Sequence, residues 1–283
     1  MQAVFIRHNC SSTTTVLNQL WDERLIALHY DDSYSVNPEE YYPAGRKALE
    51  RLWRYCNTGA IVGADYRRLN GAAMLVGRIA PGSNVIARAF HDPISAQSFI
   101  YKVVALQDAV EVPYIDYPLL VGIQPRQATI TGWPAAARVL ESAINGAPLS
   151  REPSNLHPSQ LEVLCYEWLC SAHLLEALLM PIGRGLMDID ILGINKNGGR
   201  VLAQVTYSTN NAELEDKERR LLQHAREMDE IYFFLPRKAS LSPNPRVKQV
   251  TFKRVLDELE SSADKSTQMM LRGCLQVAAN KPV

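Results

Sequence analysis

Between residues 185 and 208 the sequence GLMDIDILGINKNGGRVLAQVTYS alternates apolar and acidic positions, turns at an Asn-Gly pair and returns as a β-branched run. That pattern predicts a β-hairpin. Residues 187–194 form one strand, Asn197-Gly198-Gly199 supplies the φ > 0 positions of the turn, and residues 200–207 form the other strand. Strand side chains repeat every second residue, so Asp188 and Asp190 share a face, as do Gln204 and Thr206 on the return strand. Elsewhere the apolar spacing is helical. Residues 38–56 carry Tyr41, Ala44, Ala48, Leu52 and Tyr55 at that spacing, and residues 133–144 carry Ala136, Val139, Leu140 and Ala143. Further helices are predicted for PSQLEVLCYEWLCSAHLLEAL, for residues 213–228, and for a C-terminal pair split near Ser261-Ser262, where Met269, Met270, Leu271, Leu275 and Val277 supply core or a contact for another chain. Strands punctuated by Gly and Pro are predicted at residues 3–7, 25–30, 60–66, 72–79, 101–106 and 119–124. The N-terminal part therefore reads as α+β with a small barrel.

The periodicity lapses over NGAPLSREPSNLHP, rich in Pro, Ser and Asn, which predicts two domains: residues 1–146 and 158–283, joined by a linker at 147–157. A length of 283 residues suits two medium cores. Five cysteines (Cys10, Cys56, Cys165, Cys170, Cys274) form no C-x-x-C pair and are too scattered for a disulfide framework, so a reducing cytoplasm is expected. No run reaches the roughly eighteen apolar residues of a membrane span, and MQAVFIRHNCSS lacks the order of a signal peptide; a soluble intracellular protein with no membrane partner is expected. Formal charge is zero, which excludes the global basic field of a strong nonspecific nucleic-acid binder. Any DNA contact must be local, at short basic groups such as Arg67-Arg68, Arg219-Arg220, Arg237-Lys238 or Lys253-Arg254.

The hairpin carries the candidate chemistry. A hard divalent cation needs oxygen ligands converging from rigid elements, and Asp190 beside the Oε1 of Gln204 and a backbone carbonyl can provide them. Gln204, set among Val201, Leu202 and Val205, needs hydrogen-bond partners if buried. The bland alternative makes Asp188 and Asp190 solvent-facing residues of an edge strand, and makes Ser159 with Glu162 a capping box at a helix start.

The stretch from about residue 155 to 255 resembles the PD-(D/E)XK nuclease superfamily, most closely its Mrr-type restriction endonucleases, in which the second acidic motif is Gln. Fourteen residues separate Asp190 from Gln204, as in that family. The resemblance implies an α/β restriction-endonuclease-like domain in αβββαβ order, with ELEDKERRLLQHA as the later helix and EIYFFLP as the last strand. It implies Asp190 and Gln204 as ligands of Mg²⁺ or Mn²⁺, Glu162 assisting from the opening helix and Asp188 within reach as a second acid. The family's Lys position holds Thr206, a hydroxyl that cannot supply the ammonium's charge. Lys217, Arg200 and Arg184 are the candidate replacements, so the implied catalytic set is Glu162, Asp190, Gln204, Thr206 and Lys217.

In the N-terminal part, an opening strand ending in Arg7-His8, then RLIALHY, a helix ending at Asn57-Thr58-Gly59, GAIVGADYR and MLVGRIAPGS resemble the PUA-like domains of the EVE and related branches. That resemblance implies a base pocket, for which Arg7, His8, Trp21, His29, Tyr30 and Tyr66 are the available pieces; ordinary core is the competing role for Trp21 and Tyr66. The combined expectation is a DNA-recognising, metal-dependent restriction-type endonuclease in defence against foreign DNA, the DNA modified or not, with a motor ATPase partner and self-association left open. Two alternatives remain: a catalytically degenerate relative that binds nucleic acid or a partner, and a ligand sensor built on the N-terminal barrel.

Overall fold

The computed structural model describes residues 1–8, 14–67, 69, 71–94, 96–126, 129–149, 152–183, 187–239 and 244–275. The chain divides into two units, Met1–Pro148 and Leu149–Val283, each with its own apolar core.

The N-terminal unit runs β1 (Gln2–Arg7), α1 (Thr14–Asp22), β2 (Leu25–Leu28), α2 (Pro43–Thr58), β3 (Ala60–Asp65), β4 (Ala73–Ile79), β5 (Ile86–Asp92), β6 (Gln97–Ala105), β7 (Gln107–Pro113), α3 (Pro118–Gly122), β8 (Ile130–Gly132) and α4 (Ala137–Asn145). Five strands form one sheet in the order β7-β4-β3-β1-β8, and three form another in the order β2-β6-β5. β1 and β3 are parallel, which requires a crossover, and α1, β2 and α2 provide it. Helices on both sides explain why β1 is a continuous apolar run: Val4 and Ile6 enter the main core while Phe5 meets Trp133 edge-on at 5.1 Å.

Several predicted elements are corrected. The two sheets stay open and no closed barrel forms among the described residues, because β8 is only three residues long and cannot carry a ladder back to β7. Residues 119–124, expected as a strand, lie mostly in α3: Pro118 seats the first helical turn, and the run buries only Leu119 and Leu120. The helix expected over 38–56 is a 3₁₀ turn, Pro38–Glu40, followed by α2, because Tyr42, preceding Pro43, is held extended at ψ 162°. α1, β5, β7 and β8 were not foreseen, and β6 begins four residues before the expected strand.

The C-terminal unit continues with α5 (Pro158–Ser171), β9 (Ala177–Leu178), β10 (Ile191–Ile194), β11 (Arg200–Val205), α6 (Asn211–Gln223), β12 (Glu230–Leu235), β13 (Val247–Thr251), α7 (Phe252–Glu260) and α8 (Lys265–Leu275). Its sheet is ordered β13-β12-β11-β10-β9, antiparallel from β9 to β11 and parallel from β11 to β13. Leu149 and Leu156 are buried, and the Leu149 N–H donates to the Leu275 carbonyl at 3.0 Å. On one sheet face Val201, Ala203, Tyr232 and Phe234 pack with Leu164, Trp168 and Val255 from α5 and α7; on the other, Leu202, Ile231 and Phe233 pack with Leu214 and Leu221 of α6. Strand periodicity thus turns Gln204 and Thr206 toward α6.

Candidate active site

The β10–β11 register sets Ile191 opposite Ala203, so the next pair outward is Asp190 and Gln204. Asp190 Oδ2 accepts from Gln204 Nε2 at 2.7 Å and from the Val205 backbone N–H at 2.7 Å. Gln204 Nε2 also donates to the Val205 carbonyl at 3.2 Å, so one amide nitrogen is bracketed by two oxygens. Gln204 is buried, which makes these bonds the partners its amide requires.

Glu162 approaches from α5. Gly183, at φ 68°, donates its N–H to the Asp190 carbonyl at 2.9 Å, and a Cβ there would collide with Glu162 Oε2, so only glycine lets that carboxylate lie against this turn. Burial raises the Glu162 carboxyl above the usual range, and repulsion from Asp190 raises it further. Asp190 is also raised by burial, against the opposing pull of the Val205 N–H and the Lys217 charge. The alternative that Ser159 and Glu162 form a capping box is corrected. With Pro158 at the first helical position, His157 is the cap: its Nδ1 accepts from the Ser159 N–H, and Gln160 Oε1 accepts from the His157 N–H.

Thr206 is fixed by its N–H to the Phe234 carbonyl at 3.0 Å. Lys217 reaches it from α6, donating from Nζ to Thr206 Oγ1 at 2.9 Å while pairing with Glu213 at 3.1 Å. The ammonium is thereby brought to Thr206, the position at which the sequence resemblance leads a lysine to be expected. The other candidate cations are committed or unplaced. Arg200 donates to Asp229 and the His224 carbonyl, both at 2.9 Å, and Arg184 lies outside the described residues.

Asp188 lies ahead of the regular strand. The regular strand begins only at Ile191; Ile189 packs on the α6 side, Ile191 on the α5 side, and Met187 is exposed. Buried Asp188 is held by Arg220 at 2.8 Å, with His224 at 3.8 Å. Among the described residues no group of three or more His, Cys, Asp or Glu is arranged to hold a metal ion. A cation at this hairpin would therefore depend on Gln204 and a backbone carbonyl as well as on acids.

The N-terminal candidates divide between buried and half-buried positions. His8 and Tyr66 are buried and stacked at 4.0 Å, with Trp21 edge-on to Tyr66 at 5.3 Å. His8 Nε2 accepts from the Ala27 N–H at 2.9 Å, and burial pushes its pKa down to about 3, so the ring is a neutral core acceptor. Arg7 donates to the carbonyls of Pro125 and Arg126, His29 pairs with Asp32 at 3.0 Å, and the Tyr30 hydroxyl meets Thr129 Oγ1 at 3.4 Å. Sequence reasoning missed buried Asp65, which accepts from Arg67 (2.8 Å), Tyr114 (3.2 Å) and Gln124 (3.3 Å). The signal was available: a carboxylate ending the apolar run AIVGAD must find donors. The other basic groups are largely neutralised, Arg219 by Asp216, Arg220 by Asp188, Lys253 by Asp257 and Arg254 by Glu258; Arg68 lies outside the described residues.

Among the described residues no helix is long and apolar enough to cross a membrane. No family model matches the sequence, and no curated protein matches it. Among solved structures, the crystal structure of a repair endonuclease from Pyrococcus abyssi is similar at 12% identity over 83% of this chain and 95% of that chain, with a TM-score of 0.20. A likeness that faint carries no argument about fold or activity.

Proposed function

We propose that the C-terminal unit is a metal-dependent phosphodiesterase acting on DNA, a restriction-type endonuclease of the PD-(D/E)XK kind, with the N-terminal unit contributing recognition and defence against foreign DNA as its setting. The observation that carries this reading is the meeting of Asp190, Gln204, Thr206 and Lys217 at one end of the hairpin. The element order α5-β9-β10-β11-α6-β12, antiparallel then parallel, supports it.

The residues present fit a divalent cation. Asp190 Oδ2 and the Val205 carbonyl converge on one point, occupied by the positive end of the Gln204 amide dipole, and Glu162 lies close enough for repulsion from Asp190 to add to the upward shift that burial causes. Asp190, the Val205 carbonyl and, after a half-turn of its amide, Gln204 Oε1 would hold the ion, with Glu162 behind. Bound there, it would supply Lewis acidity toward phosphate and lower the pKa of a coordinated water. Lys217, positioned by Thr206 and Glu213, places an ammonium where it can orient the attacking water and offset charge growing on the phosphate. Glu162, with its raised affinity for protons, is the stronger base for taking a proton from that water.

The test is incubation of the purified protein with plasmid, phage and single-stranded DNA in Mg²⁺ or Mn²⁺. Metal-dependent cleavage that disappears with Asp190→Ala supports the reading; an inert wild type rejects it.

A second reading is favoured by the same amide. In the described arrangement Gln204 fills the point between the two oxygens with its own N–H groups, satisfying the site without an ion. A degenerate domain that binds nucleic acid without cutting it would look like this, and an inert wild type awakened by Thr206→Lys would establish it.

A further inference from the structure

The outer face of α2 is unusually basic for a neutral chain. Lys47, Arg51 and Arg54 follow one another at i, i+4 and i+7 on one face, and among the described residues none is ion-paired to an acid. Neighbouring Arg46, by contrast, pairs with both Glu39 and Glu50. Like charges at i, i+4 cost a helix a few tenths of a kcal/mol, and Glu50, the acid within one turn of Lys47 and Arg54, is engaged by Arg46.

Beside this stripe lies a cavity of about 510 Å³ against the outer edge of β8, lined among others by Arg51, Arg54, Tyr55, Thr131, Gly132 and Pro134, and no lining residue is acidic. Its donors follow from the strand's phase. The bonds Arg7 N–H to Thr129 O and Trp133 N–H to Ala3 O turn residues 129, 131 and 133 toward β1, so Ile130 and Gly132 present their backbone groups outward. Arg51 Nη1 takes the Ile130 carbonyl at 3.0 Å, which confirms that phase and holds the guanidinium at the cavity. The Gly132 N–H is left directed outward. Nothing lies nearer to the place of its absent Cβ than the Tyr55 hydroxyl, at 4.0 Å. The Arg54 guanidinium stacks over the Tyr55 ring at 5.1 Å and reaches its hydroxyl at 3.3 Å.

We propose that this cavity binds a phosphate ester. Arg51, Arg54, Tyr55, Thr131 and the Gly132 N–H offer donors along one part of its wall, beside apolar Pro134 and Ala137, and no carboxylate lines it, a set suited to a tetrahedral oxyanion with an organic substituent. The volume exceeds that of inorganic phosphate and lies in the range of ligand pockets, which assigns the remainder to the ester's organic part. A free nucleotide and a DNA strand both offer this chemistry. The geometry is independent of the Asp190 centre and rests on the nucleic-acid reading only for the choice of ester.

Binding of the full chain is measured in chelator, so that no metal takes part, with ADP by calorimetry and with a fluorescein-labelled DNA oligonucleotide by anisotropy over a range of salt. ADP binding identifies a free nucleotide as the ester's source, and oligonucleotide binding a strand. Arg54→Glu, an exposed change whose fold is checked by thermal unfolding, weakens the bound probe by about tenfold to a hundredfold. Arg54→Lys loses less, and for DNA the salt slope falls by about one per lost phosphate contact. Neither probe binding, or binding indifferent to Arg54→Glu, overturns the site. Binding through Arg54 without DNA cleavage leaves the site standing and sinks the nuclease reading; cleavage with binding indifferent to Arg54→Glu does the reverse.

Discussion

Replacing Gln204 with glutamate tests whether the hairpin end is built around a cation. The substitution removes the amide donor from Asp190 Oδ2, a bond to a charged acceptor worth about 1.5–3 kcal/mol, and sets a second carboxylate near the first. Two full charges at the present 2.7 Å spacing repel by about 6 kcal/mol at an effective dielectric of about 20. Protonating one ordinary glutamate at pH 7 costs only about 3.7 kcal/mol, from 1.36 kcal/mol per pKa unit. Protonation is the cheaper escape. In chelator the pair therefore shares a proton, and the loss of stability is capped near 4 kcal/mol at pH 7, about 8–16 °C in the melting temperature of the C-terminal unit. The folded pair's pKa lies above the unfolded value, so the penalty grows as pH rises from about 4.3 through the raised pKa and fades on acidification. Mg²⁺ or Mn²⁺ offers the other escape and restores Gln204→Glu by more than it raises wild type. Thermal unfolding of both proteins between about pH 4.5 and 8, with chelator or metal, reads all of this. If Gln204→Glu is as stable as wild type in chelator at pH 7, or gains no more from metal than wild type does, the two oxygens are not a cation site.

Lys217→Ala is expected to slow DNA cleavage by at least about a hundredfold while the melting temperature stays within about 3 °C, the range of an ordinary surface change; equal cleavage rates would remove Lys217 from the site. His8, neutral in the fold with its pKa near 3, makes the N-terminal unit lose stability as pH falls from about 6.5, by about 1.4 kcal/mol per pH unit until the folded pKa is reached. His8→Phe abolishes that part of the slope in a pH series of denaturant melts and, by orphaning the Ala27 N–H, lowers stability at pH 7 by about 1–3 kcal/mol; an unchanged slope contradicts the assignment. Gly193→Ala drives a methyl into the Ala177 carbonyl and the Leu175 side chain, so hydrogen exchange is expected to show β9 detaching from β10; protection retained at Leu179, whose N–H donates to the Leu192 carbonyl, refutes that.

The parts of this architecture legible in the sequence were those fixed by local rules. The Asn-Gly turn set the register of β10 and β11, and with it the meeting of Asp190 and Gln204. The alternation from residue 187 reads as strand, whereas the regular strand begins at Ile191 and Asp188 is held by Arg220 of α6. Lys217 entered as one candidate among three; only the sheet's periodicity together with the placement of α6 brings its ammonium to Thr206. In the N-terminal unit the continuous apolar strands β1 and β3 were readable, but β5 and β7 were not, since a partly exposed antiparallel strand carries charged residues such as Arg88, His91, Asp108 and Glu111 that weaken its apolar signal. His8 reads from the sequence as a ligand contact and Tyr66 as either contact or core, because sequence gives residue type without burial; their burial and mutual stack place both in the core.

Calorimetric titration of Mn²⁺ into the full chain, repeated with Asp190→Ala, tests the divalent-cation site centred on Asp190. One ion binding per chain in wild type, and none in Asp190→Ala protein that still unfolds cooperatively, is the predicted result. No binding to wild type, or binding that survives Asp190→Ala, contradicts it.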